Sequence, residues 1–426
     1  MEVAKSETVT VVGLGYIGLP TAAVIARSGF FVTGIDIDAH VVDTVNSGGI
    51  HIEEVDLDTV VQEVVASGKL RASVDTVPGD VFIIAVPTPI TESHAPDITY
   101  ILHATRALAP HLQAGNLIVL ESTSPVGTTE KIRDLLAELR PDLAMPSSDG
   151  QPGDIAIAYC PERVLPGQIL AELVSNDRCI GGITAACSER AKAFYEVFVR
   201  GACITTTART AEMVKLVENS YRDVNIAFAN ELSLISENLA VNVWDVIKLA
   251  NRHPRVNILQ PGPGVGGHCI AVDPWFIVDS DPENSRIIRT AREVNLKKTT
   301  KVIADTRALI EQNPEAKVAC LGLAFKPNID DFRESPALEV ALHLAREFGA
   351  RVQMVEPFAA SLPPALGETD TGLVSLEDAL ESSDILVLLV DHDVFKQVPR
   401  ERLEGKWVYD TRGIWGNALP GSASGR

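Results

Sequence analysis

The chain has 426 residues, more than one ordinary domain of ~100 to 200 residues, so two or three folding units are expected. Its 46% hydrophobic and 22% charged residues predict a globular protein in which only the two ends are loose. A formal charge of −20 argues against nucleic acid and anionic membranes as partners, so an anionic ligand must bind in a local basic pocket.

Signals for export or membrane insertion are not evident in the sequence. The start, MEVAKSETV, lacks an apolar signal core, and the most hydrophobic later run, DILVLLV, is far shorter than the ~20 residues that span a bilayer. We therefore expect a cytoplasmic protein. The six cysteines, at positions 160, 179, 187, 203, 269 and 320, include no CxxC pair, so free thiols are expected.

Residues 1–208 are predicted to form one α/β domain. The β-branched run TVTVV (8–12) leads into GLGYIG and a helical pattern, TAAVIARSG, and FFVTGID follows as a second strand. Further apolar runs at DVFIIAVPTP and NLIVLESTS extend a parallel sheet that helices cover.

The turn after the first strand has the spacing of a dinucleotide-binding site. Gly13, Gly15 and Gly18 form a GxGxxG pattern, in which the backbone approaches a pyrophosphate and helix N–H groups point at it. Asp36 ends the next strand, near the offset at which an acid binds a ribose 2′-hydroxyl. This context favours a cofactor site over a glycine turn without a ligand. Because its carboxylate would repel a 2′-phosphate, Asp36 favours NAD over NADP.

Residues 209–315 are predicted to be mainly helical. AEMVKLVENSYRDVNIAFANELSLISENLA runs without Gly or Pro at helical spacing, and SRIIRTAREVNLKKTTKVIADTRALIEQ predicts a second long helix. Between them lies a loop dense in Gly and Pro, PGPGVGGHCIAVDP, which is a candidate for function.

Residues 316–426 are predicted to form a second, smaller α/β domain. Strands are expected at KVACLGLAF, RVQMVEP, DILVLLVDH and KWVYDTRG, a helix near Ser335, and disorder in the tail ALPGSASGR. The predicted fold class is therefore α/β, with two Rossmann-like parallel-sheet domains joined by a long central helix and a helical middle domain.

Cys269 is the candidate nucleophile. Most single cysteines are small buried hydrophobes, but Gly264, Gly266 and Gly267 are expected to leave room for a ligand around this one, and His268 is a polar neighbour. Thiols near a lysine or a helix N-terminus ionise readily and become nucleophiles. None of the other cysteines has a comparable sequence setting.

Polar residues on the long helix form a second candidate group. Lys215, Asn219 and Arg222 are four and three residues apart, so they share one face. They are either a solvated stripe or part of a site in which Lys215 stabilises an oxyanion or moves a proton and Asn219 donates a hydrogen bond. Charged pairs also lie in predicted turns, and in so acidic a chain they favour an anionic substrate: Glu162 and Arg163, His253 and Arg255, Lys326 and Arg333.

Six motifs in order resemble the UDP-glucose/GDP-mannose dehydrogenase family over nearly the whole chain: GLGYIGLP, ESTSPVGTTE, YCPERVLPG, AEMVKLVENS, PGPGVGGHCIAVDP and GLAFKPNIDDFRESPA. The resemblance implies oxidation of the 6-hydroxymethyl group of a UDP-linked sugar with NAD and without a metal, for surface polysaccharide synthesis. Members that act on UDP-glucose carry Ser and Lys in place of His268 and Val272. A UDP-linked N-acetylhexosamine, UDP-N-acetyl-D-mannosamine, is therefore the expected substrate, and UDP-N-acetylglucosamine is the alternative.

The same resemblance implies catalytic roles. Cys269 captures an intermediate aldehyde and becomes a thioester that water hydrolyses, which keeps the reactive aldehyde on the enzyme. Lys215 is the implied acid/base and oxyanion partner, and Asn219 assists it. Asp273 is implied to position the water and Glu162 to aid hydrolysis, and which of the two activates the water is left open.

Binding residues implied by the resemblance fall into two sets. The cofactor set surrounds NAD and comprises Gly13, Gly15, Tyr16, Ile17, Gly18, Asp36, Thr88, Thr128 and Arg333. The substrate set contacts the UDP-sugar and comprises Arg163, Val164, Lys215, Asn219, Arg222, His253, Arg255, Gly266, Phe325 and Lys326. In this family the long helix forms a dimer and Arg255 reaches the neighbouring subunit, so a homodimer or larger homo-oligomer is expected. The alternative of a different class is a non-catalytic NAD-binding regulator, against which the presence of Cys269, Lys215 and Asn219 together argues.

Overall fold

The computed structural model describes residues 7–147, 149–165, 167–267 and 269–416. Within these ranges the chain forms two compact units, one that ends at Glu218 and one that begins at Asn219. The tail ALPGSASGR and His268, both subjects of sequence predictions, lie outside the described residues.

The first unit is built on one sheet. Its strands are β1 (Thr8–Val12), β2 (Phe31–Ile35), β3 (Leu70–Ser73), β4 (Val81–Ile84), β5 (Leu117–Leu120), β6 (Ala156–Tyr159), β7 (Arg178–Gly182) and β8 (Cys203–Thr207). In the described part of the unit they form an eight-stranded sheet in the order β3-β2-β1-β4-β5-β6-β7-β8. The pairs are parallel except β6 with β7, which is antiparallel. That pair departs from the parallel sheet predicted, and mixed sheets are common among large α/β sheets.

Helices cover this sheet. They are α1 (Gly18–Arg27), α2 (Ala39–Asn46), α3 (Leu57–Ala66), α4 (Thr99–Leu108), α5 (Thr128–Leu139), α6 (Ile169–Ser175) and α7 (Ala185–Tyr195), with a 3₁₀ turn at Ala109–His111. Strands β4 and β5 are buried along their whole length, which explains why VFII and LIVL are continuous apolar runs rather than alternating ones.

The predicted long helix is present as α8 (Ala208–Asn238), which has 31 residues. It begins in the first unit and continues into the second. The second predicted helix is also confirmed, as α11 (Arg286–Gln312), and two shorter helices lie between them, α9 (Val243–Ala250) and α10 (Asp273–Ser280). No helix in the described ranges is both long and apolar enough to cross a membrane.

The second unit contains a smaller sheet. Its strands are β9 (Val318–Leu321), β10 (Val352–Val355), β11 (Gly372–Leu373), β12 (Ile385–Leu388) and β13 (Trp407–Asp410), and its remaining helices are α12 (Pro336–Phe348), α13 (Leu376–Ser382) and α14 (Asp393–Lys396), with 3₁₀ turns at Gly349–Arg351, Pro364–Leu366 and Arg400–Leu403. Among the residues described, the strands are parallel in the order β11-β10-β9-β12-β13. Ser335 caps α12 by accepting the N–H of Leu338 at 3.2 Å, as the predicted helix start requires.

Candidate active site

The GxGxxG turn connects β1 to α1. Gly13 has φ +94°, and a Cβ there would lie 2.6 Å from the Ala85 carbonyl oxygen. A Cβ on Gly18 would lie 1.8 Å from the Gly13 carbonyl oxygen, so the turn itself requires both glycines. Gly15 differs, because a Cβ there would meet no atom within 4 Å. Its backbone is therefore open to a ligand such as a pyrophosphate.

Asp36 follows β2 and faces this turn. Its Oδ2 accepts the N–H of Leu14 and its Oδ1 the N–H of Asp38, both at 3.0 Å. The side chain is only half-buried, and each carboxylate oxygen has a second lone pair that ribose hydroxyls can use. Thr88 has a buried hydroxyl without a hydrogen-bond partner in the described structure. An open turn, an accessible acid and an orphaned hydroxyl fit NAD.

The remaining members of the cofactor set have mixed environments. Tyr16 is exposed and Ile17 half-buried at the start of α1. Thr128 is fully buried and its hydroxyl donates to a backbone carbonyl three residues earlier, at 2.7 Å. Arg333 is exposed and forms an ion pair with Asp331 of its own loop at 2.5 Å. The cofactor roles of Thr128 and Arg333 stay predictions.

Lys215 and Glu162 meet in the first unit. Lys215 is 6% exposed, and its Nζ donates to the Glu162 carbonyl oxygen at 2.9 Å and lies 3.6 Å from Glu162 Oε1. The other carboxylate oxygen of Glu162 accepts the N–H of Val164 at 2.9 Å. The structure therefore brings two predicted catalytic residues into contact, and a solvated stripe is the wrong description for Lys215.

Cys269 lies one turn before α10 in the second unit. Its side chain is exposed, and its carbonyl oxygen accepts the N–H of Asp273 at 2.8 Å. Asn219 Nδ2 in turn donates to Asp273 Oδ2 at 2.5 Å. Three predicted catalytic residues are therefore adjacent, with the cysteine at the N-terminal end of a helix, where thiolates are favoured.

Burial makes the other five cysteines less suitable as nucleophiles than Cys269. It raises the pKa of the Cys160 and Cys320 thiols to about 12, and it also raises the pKa of the half-buried Cys179 and Cys203. All six cysteines lie in the described residues and none forms a disulfide, and of these six only Cys269 is exposed. Accessibility therefore selects the same residue as the sequence pattern.

The glycines before Cys269 do not leave the room that the sequence analysis expected. A Cβ on Gly264 would lie 2.3 Å from a hydroxyl of α11, and one on Gly266 would lie 2.4 Å from a backbone oxygen of the segment before α12. A Cβ on Gly267 would lie 3.0 Å from the Phe325 ring. These glycines permit close packing of the loop against its own unit. They place Gly266 beside the loop that carries Phe325 and the half-buried Lys326.

Basic members of the substrate set are mostly accessible. Arg163 pairs with Glu218 at 2.7 Å in the first unit. Arg222 is exposed on α8. His253 and Arg255 are exposed in one turn, where the Arg255 N–H donates to His253 Nδ1 at 3.3 Å. Such side chains are available to a phosphate-bearing ligand.

The sequence analysis did not identify Glu121, whose buried carboxyl group follows β5 directly. Glu121 accepts hydrogen bonds from the hydroxyls of Thr21, on α1, at 3.1 Å and Tyr195 at 3.3 Å, and it lies 4.0 Å from Arg178. Burial raises the pKa of Glu121 to about 7, although Arg178 opposes the shift. An acid directly after an all-apolar strand, at the start of ESTSPVGTTE, was the available signal.

Comparison with known proteins supplies independent information. Models of the UDP-glucose/GDP-mannose dehydrogenase family match three successive segments: the NAD binding domain at 7–199, the central domain at 209–297 and the UDP binding domain at 319–417. The NDP-N-acetyl-D-galactosaminuronic acid dehydrogenase of Ralstonia nicotianae is 56% identical over 96% of both chains. The UDP-N-acetyl-D-mannosamine dehydrogenase of Escherichia coli K12 is 55% identical over 96% of this chain and 99% of that protein. The solved UDP-D-ManNAc dehydrogenase of Pyrococcus horikoshii is 39% identical, with a TM-score of 0.84 over 96% of both chains.

Proposed function

Because the chain belongs to the UDP-glucose/GDP-mannose dehydrogenase family, we propose that it oxidises UDP-N-acetyl-D-mannosamine at C6 to UDP-N-acetyl-D-mannosaminuronate. The balanced change converts one primary alcohol, one water and two NAD⁺ to one carboxylate, two NADH and three protons. NAD, the cofactor of the family's N-terminal domain, supplies the hydride acceptor for both oxidations. The product is an activated sugar donor, which suits surface polysaccharide synthesis.

The arrangement around Cys269 is the observation that carries this proposal. After the first oxidation the thiolate attacks the C6 aldehyde, so a C–S bond forms and the oxygen takes a proton. Loss of hydride and of that proton leaves a thioester, and water then breaks the C–S bond and releases the carboxylate and the thiolate. Asn219 Nδ2 donates to Asp273 Oδ2 at 2.5 Å, and the Asp273 N–H donates to the Cys269 carbonyl oxygen, which suits Asp273 to orient that water.

Lys215 has the properties required to stabilise negative charge on the oxygen atom at C6 and to exchange a proton with it. Its ammonium group is buried, held by the Glu162 carbonyl and near its carboxylate. A fixed, desolvated cation stabilises a developing oxyanion more strongly than a mobile, hydrated one. Lys215 can also return a proton, because an amine shuttles protons where arginine cannot.

A turnover assay tests the reaction. We expect the purified protein with UDP-N-acetyl-D-mannosamine and NAD to form two NADH per sugar, and Cys269→Ser to lose turnover while it still binds NAD, because a hydroxyl is a far weaker nucleophile than a thiolate. Cys187→Ser, at a buried cysteine, is the matched control. Undiminished NADH formation by Cys269→Ser would overturn the covalent route, and no NADH from any UDP-sugar would favour a non-catalytic NAD-binding regulator.

A comparison of kcat/KM among several UDP-sugars decides which sugar configuration the enzyme prefers. The relative named for mannosamine supports the assignment at 55% identity, but the one named for a galactosaminuronic acid stands at 56%, so UDP-N-acetyl-D-galactosamine is a second candidate. A pocket that binds one acetamido configuration leaves polar groups unpaired with the other, at a cost of ~10²- to 10⁴-fold in kcat/KM. We expect the mannosamine substrate to exceed UDP-N-acetylgalactosamine, UDP-N-acetylglucosamine and UDP-glucose, and a higher kcat/KM for any of these would replace it.

The proposed enzyme acts as a homodimer or larger homo-oligomer through α8. Large apolar side chains are exposed on this helix, among them Tyr221 at 71%, Phe228 at 50% and Ile235 at 47%, and an exposed apolar stripe of this kind marks an interaction surface. We expect mixtures of Arg255→Ala and Cys269→Ala chains to regain activity, since a hybrid dimer would have one intact site if Arg255 serves the partner. Activity no higher than that of the separate variants would place both residues in one subunit's site.

A further inference from the structure

A chain of buried hydrogen bonds connects α11 through α8 to the loop that carries Cys269. Arg292 Nη1 donates to Asp223 Oδ1 at 2.6 Å, and Asn295 Nδ2 donates to the same oxygen at 2.8 Å. Asn230 Nδ2 then donates to Asn295 Oδ1 at 2.9 Å, and Asn230 Oδ1 accepts the N–H of Gly262 at 2.9 Å. All of these residues belong to the second unit.

Burial fixes the direction of every amide in this chain. Asp223 and Asn230 are 0% exposed, and Asn295 is 1% exposed. Because Asn295 uses its NH₂ group on Asp223, only its oxygen can face Asn230. Asn230 must then direct its own NH₂ group at Asn295 and its oxygen at the loop. An amide rotated the other way would leave buried donors facing donors, which is unfavourable because those groups would then lack hydrogen-bond partners.

Gly262 is well suited as the anchored residue. It lies between Pro261 and Pro263, which have no N–H, so it supplies the backbone donor of this segment. The chain from residue 257 to residue 267 contains no helix or strand. Two residues beyond the anchor, Gly264 packs so closely on Thr299 of α11 that a Cβ would lie 2.3 Å from the hydroxyl.

The far end of the loop is fastened to the same face of α8. Asn219 holds Asp273, whose N–H donates to the Cys269 carbonyl. Asn219 and Asn230 are eleven residues apart, three turns of helix at 3.6 residues per turn, so both side chains project in one direction. Helix α8 therefore holds the cysteine loop at two points, through Asn230 before Cys269 and through Asn219 after it.

We propose that Asn230 is a positioning residue for the Cys269 thiol, and that Asp223, Arg292 and Asn295 hold Asn230 in the required orientation. The inference rests on the proposed function, in which Cys269 is the nucleophile. A loop released at Gly262 would displace the thiol from its attack position, and a misplacement of ~1 Å can reduce a rate ~10²-fold. Binding of NAD at the glycine turn does not depend on this anchor.

Variants at the anchor test the proposal. We expect Asn230→Ala to lower kcat by ~10- to 100-fold with an unchanged KM for NAD, and to change the rate at which iodoacetamide alkylates Cys269, read by mass spectrometry with Cys269→Ala as the blank. Asn230→Asp keeps the acceptor for Gly262 and should retain more activity than Asn230→Ala. Thr306→Ala, at a buried threonine of α11 outside the hydrogen-bond chain, controls for a general loss of stability.

The outcomes are distinguishable. Wild-type kcat and alkylation rate in Asn230→Ala, or equal losses in Thr306→Ala, would overturn the positioning role. If Cys269→Ser stays active while Asn230→Ala still changes alkylation, the positioning role stands and the proposed covalent step fails. Should Asn230→Ala not fold, hydrogen exchange of the wild-type protein decides: the Gly262 amide must exchange as slowly as the amides of α8, and exchange at the rate of an open loop would overturn the anchor.

Discussion

The two sheets use the same opening motif for different purposes. In each, a glycine follows the first strand with positive φ, +94° at Gly13 and +86° at Gly322, and its N–H donates to the last residue of the neighbouring strand at 2.8 Å. Asp36 and Glu356 follow those neighbouring strands directly, and each accepts the N–H of the residue after the glycine. The strand orders β3-β2-β1-β4 and β11-β10-β9-β12 are equivalent.

The surroundings of the two acids differ. Asp36 is half-buried and accepts two backbone N–H groups. Glu356 is 4% exposed and accepts three, from Leu323, Ala324 and Phe358, at 2.7 to 3.2 Å. His392 Nε2 also lies 3.3 Å from Glu356 Oε1, without the alignment of a hydrogen bond.

The position of His392 explains why the Glu356 carboxylate is not accessible to a ligand. It is the fourth residue after β12, and the fourth residue after β4 is Thr88, whose hydroxyl lacks a partner in the described structure. One sheet thus leaves its acid and a hydroxyl for a ligand, whereas the other satisfies its acid internally. An identical strand order therefore does not establish an identical ligand site.

Alanine substitutions at the turn glycines should give the largest effects. They should distinguish glycines that the fold requires from a glycine that NAD binding requires. Gly322→Ala and Gly13→Ala should each destabilise by ~2 to 5 kcal/mol, because φ is positive and the new Cβ would lie 2.4 Å from Val390 Cβ or 2.6 Å from the Ala85 oxygen. Gly15→Ala should keep the parent stability and weaken NAD binding. Urea unfolding measures the stability of each variant, and the KM for NAD measures its cofactor binding. An unchanged KM for NAD in Gly15→Ala would show that the pyrophosphate does not bind at this turn.

Amide replacements at the two acids should have opposite consequences. Glu356→Gln directs an NH₂ group at buried backbone donors and should reduce the free energy of unfolding by ~2 to 4 kcal/mol. Asp36→Asn should change stability by less than ~1 kcal/mol, raise the KM for NAD and narrow the preference over NADP. Equal stability losses in the two variants, measured by urea unfolding, would contradict the division between an internal acid and a ligand-binding acid.

The buried acids of the two sheets should respond to pH with opposite signs. The pKa of Glu121 rises from its ordinary 4.5 to about 7, so unfolded chains release this proton first and stability falls as pH rises between those values, by at most ~3 kcal/mol. Burial alone would raise the pKa of Glu356, but the contact with His392 and backbone N–H groups lower it overall. Its contribution is present above the unfolded pKa and is lost as pH falls through the folded value.

Urea unfolding from pH 3 to pH 8 measures this difference. Glu121→Gln should flatten the decline between pH 4.5 and 7, and Glu356→Gln should reduce the loss below pH 4.5. A Glu121→Gln profile parallel to that of the parent would show that Glu121 titrates normally.

Removal of the Thr88 hydroxyl should give the smallest effect. Thr88→Val has nearly the same shape and deletes a buried group without a partner, so stability should stay within ~1 kcal/mol of the parent or rise. If the hydroxyl binds NAD, the KM for NAD should increase ~2- to 10-fold, as expected for one hydrogen bond. A loss of stability with an unchanged KM would assign the hydroxyl to the fold.

Local pattern was sufficient to predict much of this protein. The predicted strand TVTVV coincides with β1, Ser335 caps α12 as expected, and a stretch without Gly or Pro became the 31-residue helix α8. These features depend on neighbours in sequence, where strand period, capping chemistry and helical spacing act. The sequence pattern and the structure also select the same candidate nucleophile, because Cys269 lies in a distinctive glycine loop and is the exposed one of the six cysteines.

Contacts between distant residues were decided only by the tertiary structure. The loop glycines serve packing rather than ligand space, since what a Cβ at Gly264 would meet depends on α11, which no local pattern places. The hydrogen-bond chain from Asn295 through Asn230 to the loop could not be predicted from the sequence either, because an asparagine in a helix is more often exposed than buried. The sheets show the same limit: sequence predicted both, but only the folded surroundings decided that Asp36 is available to a ligand and Glu356 is not.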